Sequence, residues 1–330
     1  MSSPDRQRIE ALVQGVRARS VSALARLLSL AENHPEFGQE ILSHLYPLPG
    51  HPFVLGITGP AGAGKSTLIN SMLFEFKRWF SSLAVLVFDP SSRLTGGALL
   101  GDRIRMREHE EDESIYLRSM ADRGLAGGTS SCVFEALTIL AAYGFELVVV
   151  ETVGAGQGEV EIAREADLVL VVLTPDFGDE IQAMKAGVLE IGDIFVVNKA
   201  DVMEVALARS RLSAALAAGG TEEGLTPEIG SVAARTGAGV PELVKKVLER
   251  RERLEKSGLL AKKRQQRSRA HFENILRARW GKILDAALAE HQDYLADVGP
   301  EINPYRFADR FARDVLGMED DETDGAAKED

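Results

Sequence analysis

Apolar residues recur at three- and four-residue spacing through the first fifty positions: Ile9, Leu12, Val13 and Val16, then Val21, Leu24, Leu27 and Leu28, with Arg and Glu between them. That period predicts amphipathic helices, and the cluster Pro47, Pro49, Gly50 closes the segment. The pattern then changes to short uninterrupted runs of Val, Ile and Leu at residues 53–57, 83–88, 147–150, 168–173 and 194–197. Strands covered on both faces read this way. The intervals 66–80, 129–143 and 181–187 are long enough for crossover helices. Strand and helix in alternation predict an α/β fold, a mostly parallel sheet with helices on both faces. From about residue 240 the strand signal stops and helical patterns follow. Pro241 stands at an expected first turn, and Phe272, Ile275, Leu276, Trp280, Ile283 and Leu284 share one face further on. Trp280 with Phe272 and Ile283 reads as core or as a dimer interface.

Composition narrows the partners. The chain has 330 residues, 45% of them hydrophobic, enough for one large or two ordinary globular domains. Fifty acidic against 38 basic side chains leave a formal charge of -12, which argues against nucleic acid or an anionic membrane surface as a partner. Any anion it binds needs a dedicated local site. The single Cys132 forms no internal disulfide, and the opening MSSPDRQRIEALV lacks the basic and apolar regions of a secretory signal. A cytoplasmic location is the expectation. No apolar run approaches the ~20 residues that span a bilayer. Residues 318–330 carry seven acids and one Lys and read as a disordered acidic tail. The basic stretch 262–269 has no interleaved aromatics and reads as a solvated helix face.

The dedicated site is written in Gly59-Pro-Ala-Gly62-Ala63-Gly64-Lys65-Ser66, which fits G-x-x-x-x-G-K-[ST] and stands between an expected strand and an expected helix. Glycines let the backbone curl round phosphates with its N–H groups inward, and the helix N-terminus adds partial positive charge. Gly59, Gly62, Ala63, Gly64, Lys65, Ser66 and Thr67 are therefore the expected phosphate contacts. Lys65 neutralises the β- and γ-phosphates in this reading, and the Ser66 hydroxyl ligates Mg²⁺.

Asn198-Lys199-Ala200-Asp201 follows the last apolar run and fits N-K-x-D. The Asp201 carboxylate can accept from N1–H and the exocyclic amine of guanine, a pair that adenine does not offer. Lys199 packs its stem along the base, and Asn198 braces the loop. In the segment 232–237, the Ala234 N–H is expected to face guanine O6. Glu151-Thr-Val-Gly154 ends another run; the acid is placed to hold Mg²⁺ and the Gly154 N–H to sense the γ-phosphate. Asp89 and Asp102 are further acids able to reach the metal. Gln157 is the candidate for orienting the attacking water, although it stands three residues beyond Gly154. Lys185, Arg93, Arg103 and Arg105 are each available to offset γ-phosphate charge, and no sequence rule chooses among them.

The stretches FDPSSRLTGGALLGDRIRM, VETVGAGQGEVEIAREAD and PDFGDEIQAMKAGVLEIGDIFVVNKAD resemble the signature segments of the methylmalonyl-CoA mutase-associated GTPases, the MeaB type of metallochaperone, over roughly residues 50–240. The resemblance implies a P-loop GTPase core with helical N- and C-terminal extensions, GTP/GDP and Mg²⁺ as cofactors, and slow GTP hydrolysis stimulated by a partner. It also implies a homodimer that gates cofactor loading, protection or repair of an adenosylcobalamin-dependent acyl-CoA mutase. By the same resemblance Asp102 belongs to a first switch, 151–157 to a second, and 176–185 to a third that touches the mutase. The family's PGxGDE is here Pro175-Asp176-Phe177-Gly178-Asp179-Glu180. The implied domains are a helical extension over 1–50, the GTPase domain over 51–240, a dimerisation arm over 241–317 and the tail. Three other classes compete, one of them a binding module that uses GTP only for structure and shows nucleotide binding without turnover. A nickel-insertion GTPase predicts paired His or Cys motifs, which the six His and one Cys do not form. A protein kinase of amino-acid transport needs an acceptor site and a base, and neither is legible.

Overall fold

The computed structural model describes residues 3–48, 50–90, 112–122, 129–152, 164–176, 188–202, 205–218, 226–296, 298–299 and 302–317. The chain divides into two compact units, Met1–Lys263 and Arg264–Asp330. The first is built on a seven-stranded sheet: β1 (Phe53–Thr58), β2 (Leu83–Pro90), β3 (Ile115–Asp122), β4 (Leu147–Thr152), β5 (Leu168–Leu173), β6 (Ile194–Val197) and β7 (Glu228–Ser231). Their order is β3-β2-β4-β1-β5-β6-β7, and every neighbouring pair is parallel.

The five expected runs form β1, β2, β4, β5 and β6. The two strands without such a run, β3 and β7, are the two edges. An edge strand has one neighbour and less cover, so it has less need of continuous apolar sequence. The four residues of β7 are all half-buried, and β3 carries Arg118 and Ser119 in its middle.

Alternation along each strand sorts its side chains onto two faces. Phe53, Leu55, Ile57, Leu147 and Val149 share one apolar cluster with Leu68, Met72 and Phe76 of α4 (Lys65–Phe76). Val54, Val148 and Val150 point the other way, into a cluster with Val133, Ala136 and Leu140 of α5 (Thr129–Tyr143). Three N-terminal helices lie over α5: α1 (Ser3–Arg17), α2 (Val21–Asn33) and α3 (Gly38–Leu45). Helix α2 starts where Ser20 Oγ accepts from the Ala23 N–H at 3.3 Å, and it buries Leu24, Leu27 and Leu28 in the second cluster. It is also stitched to the sheet edge. Arg118 of β3 donates to Ala25 O (3.2 Å), Ser29 Oγ (3.1 Å) and Glu32 Oε2 (2.7 Å).

Beyond β5 come the short α6 (Val188–Ile191) and α7 (Ala206–Ala218). Helix α8 (Val240–Lys256) carries Pro241 in its first turn, as expected, and packs on α4. At the amino ends of the strands, Asp167 Oδ2 accepts from the Val54 N–H (3.0 Å) and Asp193 Oδ2 from the Val169 N–H (2.9 Å). These carboxylates satisfy strand amides at the sheet edge opposite the motif loops.

The long α9 (Leu259–Glu290) runs into the second unit, followed by α10 (Gln292–Leu295) and α11 (Pro304–Asp314). Asn303 caps α11 by accepting from the Tyr305 and Arg306 N–H groups, and Phe307 and Phe311 pack against the Tyr294 ring. The stripe Phe272, Ile275, Leu276, Trp280, Ile283 and Leu284 is 40–60% exposed in the single chain. Of the two readings offered for it, core is therefore corrected. One α-helical turn after another carries large apolar groups, yet among the described residues no facing element of this chain covers them. Among the described residues, too, no helix is long and apolar enough to cross a membrane. The expected helix over 181–187 and the acidic tail lie outside the described residues.

Candidate nucleotide site

All the motif loops that the structure describes leave the carboxyl ends of strands, the edge at which open parallel sheets hold ligands. The first follows β1. Gly59 has φ +139°, and a Cβ there would lie 2.1 Å from the Val172 carbonyl oxygen of β5, so only glycine lets the loop turn so close to its neighbour. The loop ends at Gly64, the N-cap of α4, with φ +90°. No side chain caps this helix, and its first turn holds no acid. Its leading amides are suited to an anion. Lys65 is buried and folds back over the loop, donating from Nζ to Gly59 O (2.7 Å) and Pro60 O (3.1 Å). Its charge therefore lies within the arc of the loop.

The second element ends β4. In register Glu151 lies beside Ile57 of β1 and Val87 of β2. It is 1% exposed, and its Oε1 accepts from Ser66 Oγ at 2.9 Å. One residue on, Thr152 Oγ1 donates to Thr58 Oγ1 at 3.1 Å, a buried side-chain link between the ends of β4 and β1. Ser66 and Glu151 present hard oxygen donors side by side, the chemistry Mg²⁺ requires. Among the described residues no group of three or more His, Cys, Asp or Glu could hold a metal. The pair fits a Mg²⁺ ion, a hard cation that takes oxygen ligands.

The third element follows β6. Asn198 is 2% exposed and bonds in two directions: Nδ2 donates to Ala63 O in the phosphate loop (2.8 Å), and Oδ1 accepts from the Ala234 N–H (3.0 Å). It thus braces two loops at once. The Ala234 N–H, expected to face guanine O6, is directed to Asn198 in this conformation. Gly64 answers to the same amide, because a Cβ on it would lie 2.5 Å from Asn198 Nδ2. Lys199 takes a left-handed backbone at φ +60°, and the Ala200 N–H donates to Val232 O (3.1 Å), tying this turn to the loop after β7. The Asp201 carboxylate accepts from Arg235 Nη2 at 3.1 Å. Asp176, three residues after β5, has its carboxyl held below the ordinary range by a hydrogen bond from the Thr174 hydroxyl, with the Lys199 charge adding to the effect.

The structure thus brings Gly59, Gly62, Ala63, Gly64, Lys65, Ser66 and Glu151 to one edge and joins them to Asn198, Lys199, Asp201 and Ala234 through Asn198. Thr67 follows Ser66 in the first turn of α4. Asp89 stands next to last in β2, in register with Ala121 of β3; its side chain lies outside the described residues. Asp102, Gly154, Gln157 and Lys185 lie outside them altogether, as do Arg93, Arg103 and Arg105. Three participants went unremarked in the sequence: Thr58 and Thr152, which end strands beside the two motifs, and Arg235. The only signal for the threonines is a hydroxyl at an apolar strand's last position.

A Gly-Lys-Ser loop and an Asn-Lys-x-Asp turn on one edge of a parallel sheet, braced through one buried amide, define the class: a P-loop nucleotide-binding protein of the α/β type. Within it the chain belongs to the methylmalonyl Co-A mutase-associated GTPase MeaB family, whose model matches residues 24–289. It is similar to a protein of Pyrococcus horikoshii named as a GTPase, 41% identical over 315 residues, covering 94% of this chain and 99% of the relative. It is similar also to GTPase ArgK of Escherichia coli, 33% identical over 264 residues, 79% of this chain and 80% of that one. The mouse mitochondrial methylmalonic aciduria type A homolog is 33% identical over 279 residues, 80% of this chain and 67% of its own. The crystal structure of an LAO/AO transport system kinase shares the fold, with a TM-score of 0.67 at 24% identity, covering 95% of this chain and 98% of that one.

Proposed function

We propose that this protein binds GTP and GDP with Mg²⁺, hydrolyses GTP slowly by itself, and uses that cycle to gate cofactor loading, protection or repair of an adenosylcobalamin-dependent acyl-CoA mutase. The observation that carries the nucleotide reading is Asn198, whose two bonds join the phosphate loop to the base loop. Such a brace supports a ligand with phosphates at one end and a purine at the other. In this reading the phosphates lie against Gly59, Gly62, Ala63, Gly64 and Thr67 and the first turn of α4. Lys65 shifts its hydrogen bonds from the loop carbonyls to the β- and γ-phosphates. Ser66 and Glu151 hold Mg²⁺, with Asp89 and Asp102 as further acids toward it. When bound, the ion would offset the negative charge that develops on the phosphates during hydrolysis. Asp201 accepts from guanine, Lys199 covers the base plane, and Ala234 contributes by fixing Asn198. Gly154, Gln157 and Lys185 are proposed for γ-phosphate sensing, water orientation and charge compensation.

The mutase partner is supported by membership of the family and by the name of the mouse relative. A homodimer through α9 is supported by its exposed apolar stripe, since such stripes are seldom left in water. The test is GTP and ATP hydrolysis measured alone and with a panel of adenosylcobalamin-dependent mutases. The expected result is slow, guanine-selective turnover that one mutase accelerates. Equal turnover of ATP would remove the guanine reading, and the absence of acceleration across the panel would remove the mutase reading.

A further inference from the structure

The Asp201 carboxylate is engaged from within its own chain. Arg235 Nη2 donates to Asp201 Oδ2 at 3.1 Å, with the arginine side chain 78% exposed and the carboxylate 22%. Arg235 directly follows Ala234, whose N–H is fixed by Asn198 Oδ1, and the Ala200 bond to Val232 O holds the two loops in register. The backbone on both sides of this ion pair is therefore anchored, whereas the arginine side chain is in water. A guanidinium carries N–H donors on neighbouring nitrogens of one planar carbon. Guanine offers a carboxylate the same arrangement with N1–H and its exocyclic amine. Both claim one acceptor.

We propose that Arg235 is an internal stand-in for guanine: it occupies the base-reading carboxylate while the site is empty, is displaced when the base enters, and so sets the affinity for guanine nucleotides. The proposal rests on the reading of Asp201 as the guanine acceptor. Exposure of the arginine makes it replaceable, because a solvated ion pair is worth little, whereas a buried one is hard to break. Competition of this kind acts on the empty protein. It weakens every ligand that needs Asp201 by one common factor, and leaves a ligand of the phosphate loop alone untouched.

The experiment is isothermal titration of GDP, inosine diphosphate and inorganic pyrophosphate into the full chain, its Arg235→Ala variant and its Asp201→Asn variant. Arg235→Ala is expected to bind GDP about 1.5- to 5-fold more tightly, the range an exposed ion pair allows. Inosine diphosphate, which keeps N1–H and lacks the amine, gains by the same factor, and pyrophosphate binds unchanged. GDP affinity that stays the same or falls in Arg235→Ala overturns the proposal; a fall means that Arg235 contacts the bound nucleotide. A gain shared by pyrophosphate overturns it as well, by placing the effect at the phosphates. Asp201→Asn separates the two levels. If it binds GDP as well as the parent, the guanine reading itself fails; if it loses GDP while Arg235→Ala gains nothing, only the role of Arg235 fails.

Discussion

Substituting Gly64 and Asn198 singly and together is the sharpest perturbation of the site. Asn198→Ala removes two hydrogen bonds and leaves the Ala63 carbonyl and the Ala234 N–H without their buried partner. At about 1–3 kcal/mol for each orphaned group, with water relieving part of it, a loss of about 2–4 kcal/mol in unfolding free energy is expected. Gly64→Ala meets two obstacles. The residue sits at φ +90°, which costs an L-residue about 1–2 kcal/mol, and its new Cβ would lie 2.5 Å from Asn198 Nδ2. That amide is held at both ends and cannot turn aside without breaking a bond, a further cost of about 1–3 kcal/mol. In the double variant the second obstacle is gone and the first remains. Gly64→Ala should therefore cost about 1–3 kcal/mol less in the Asn198→Ala background than in the parent, a coupling within the range found for residues in contact. Urea unfolding of the four proteins without nucleotide measures it. Additivity within about 0.5 kcal/mol would refute the geometry, because the two positions would then not share a contact.

Two other outcomes follow from the structure. The Lys77 ammonium, then the Ser114 hydroxyl and N–H, hold the Asp112 carboxyl down to about 2. With the unfolded value near ~3.9, its contribution is present above about pH 4 and is lost as pH falls through about 2. Asp112→Asn should thus lower stability by about 1 kcal/mol or less at about pH 5 and by progressively less toward about pH 2, as read from urea midpoints; an unchanged gap would exclude the pairing as its source. If the proposed homodimer forms through α9, the parent should sediment as a dimer and Trp280→Asp as a monomer with helix content retained in circular dichroism; a monomeric parent or an unaltered dimer would refute that interface.

Of the fold, the layers were legible and the borders were not. Continuous runs such as 147–150 and 168–173 declared interior strands because the hydrophobic effect must cover both faces of a central strand. The edges β3 and β7 carried no comparable signal. The polar Arg118 in β3 fastens α2 to the sheet. The face of α9 was legible as apolar, but not its exposure, since periodicity shows that a surface wants cover without showing whether the chain supplies it.

Of the site, the local chemistry was written in contiguous residues. A phosphate loop needs glycines and a Lys within eight positions, and a guanine-reading turn needs its carboxylate within four, so both are readable as strings. Those strings were enough to say which residue types stand at the ends of which strands, and hence which class of ligand they suit. How the ends join came from the fold: Asn198 spans Ala63 and Ala234, Gly64 leaves room for that side chain far along the chain, Thr152 bonds Thr58, and Arg235 holds Asp201. Such contacts depend on distances of about 3 Å between segments far apart in sequence, which the parallel strand order brings together and no local pattern encodes.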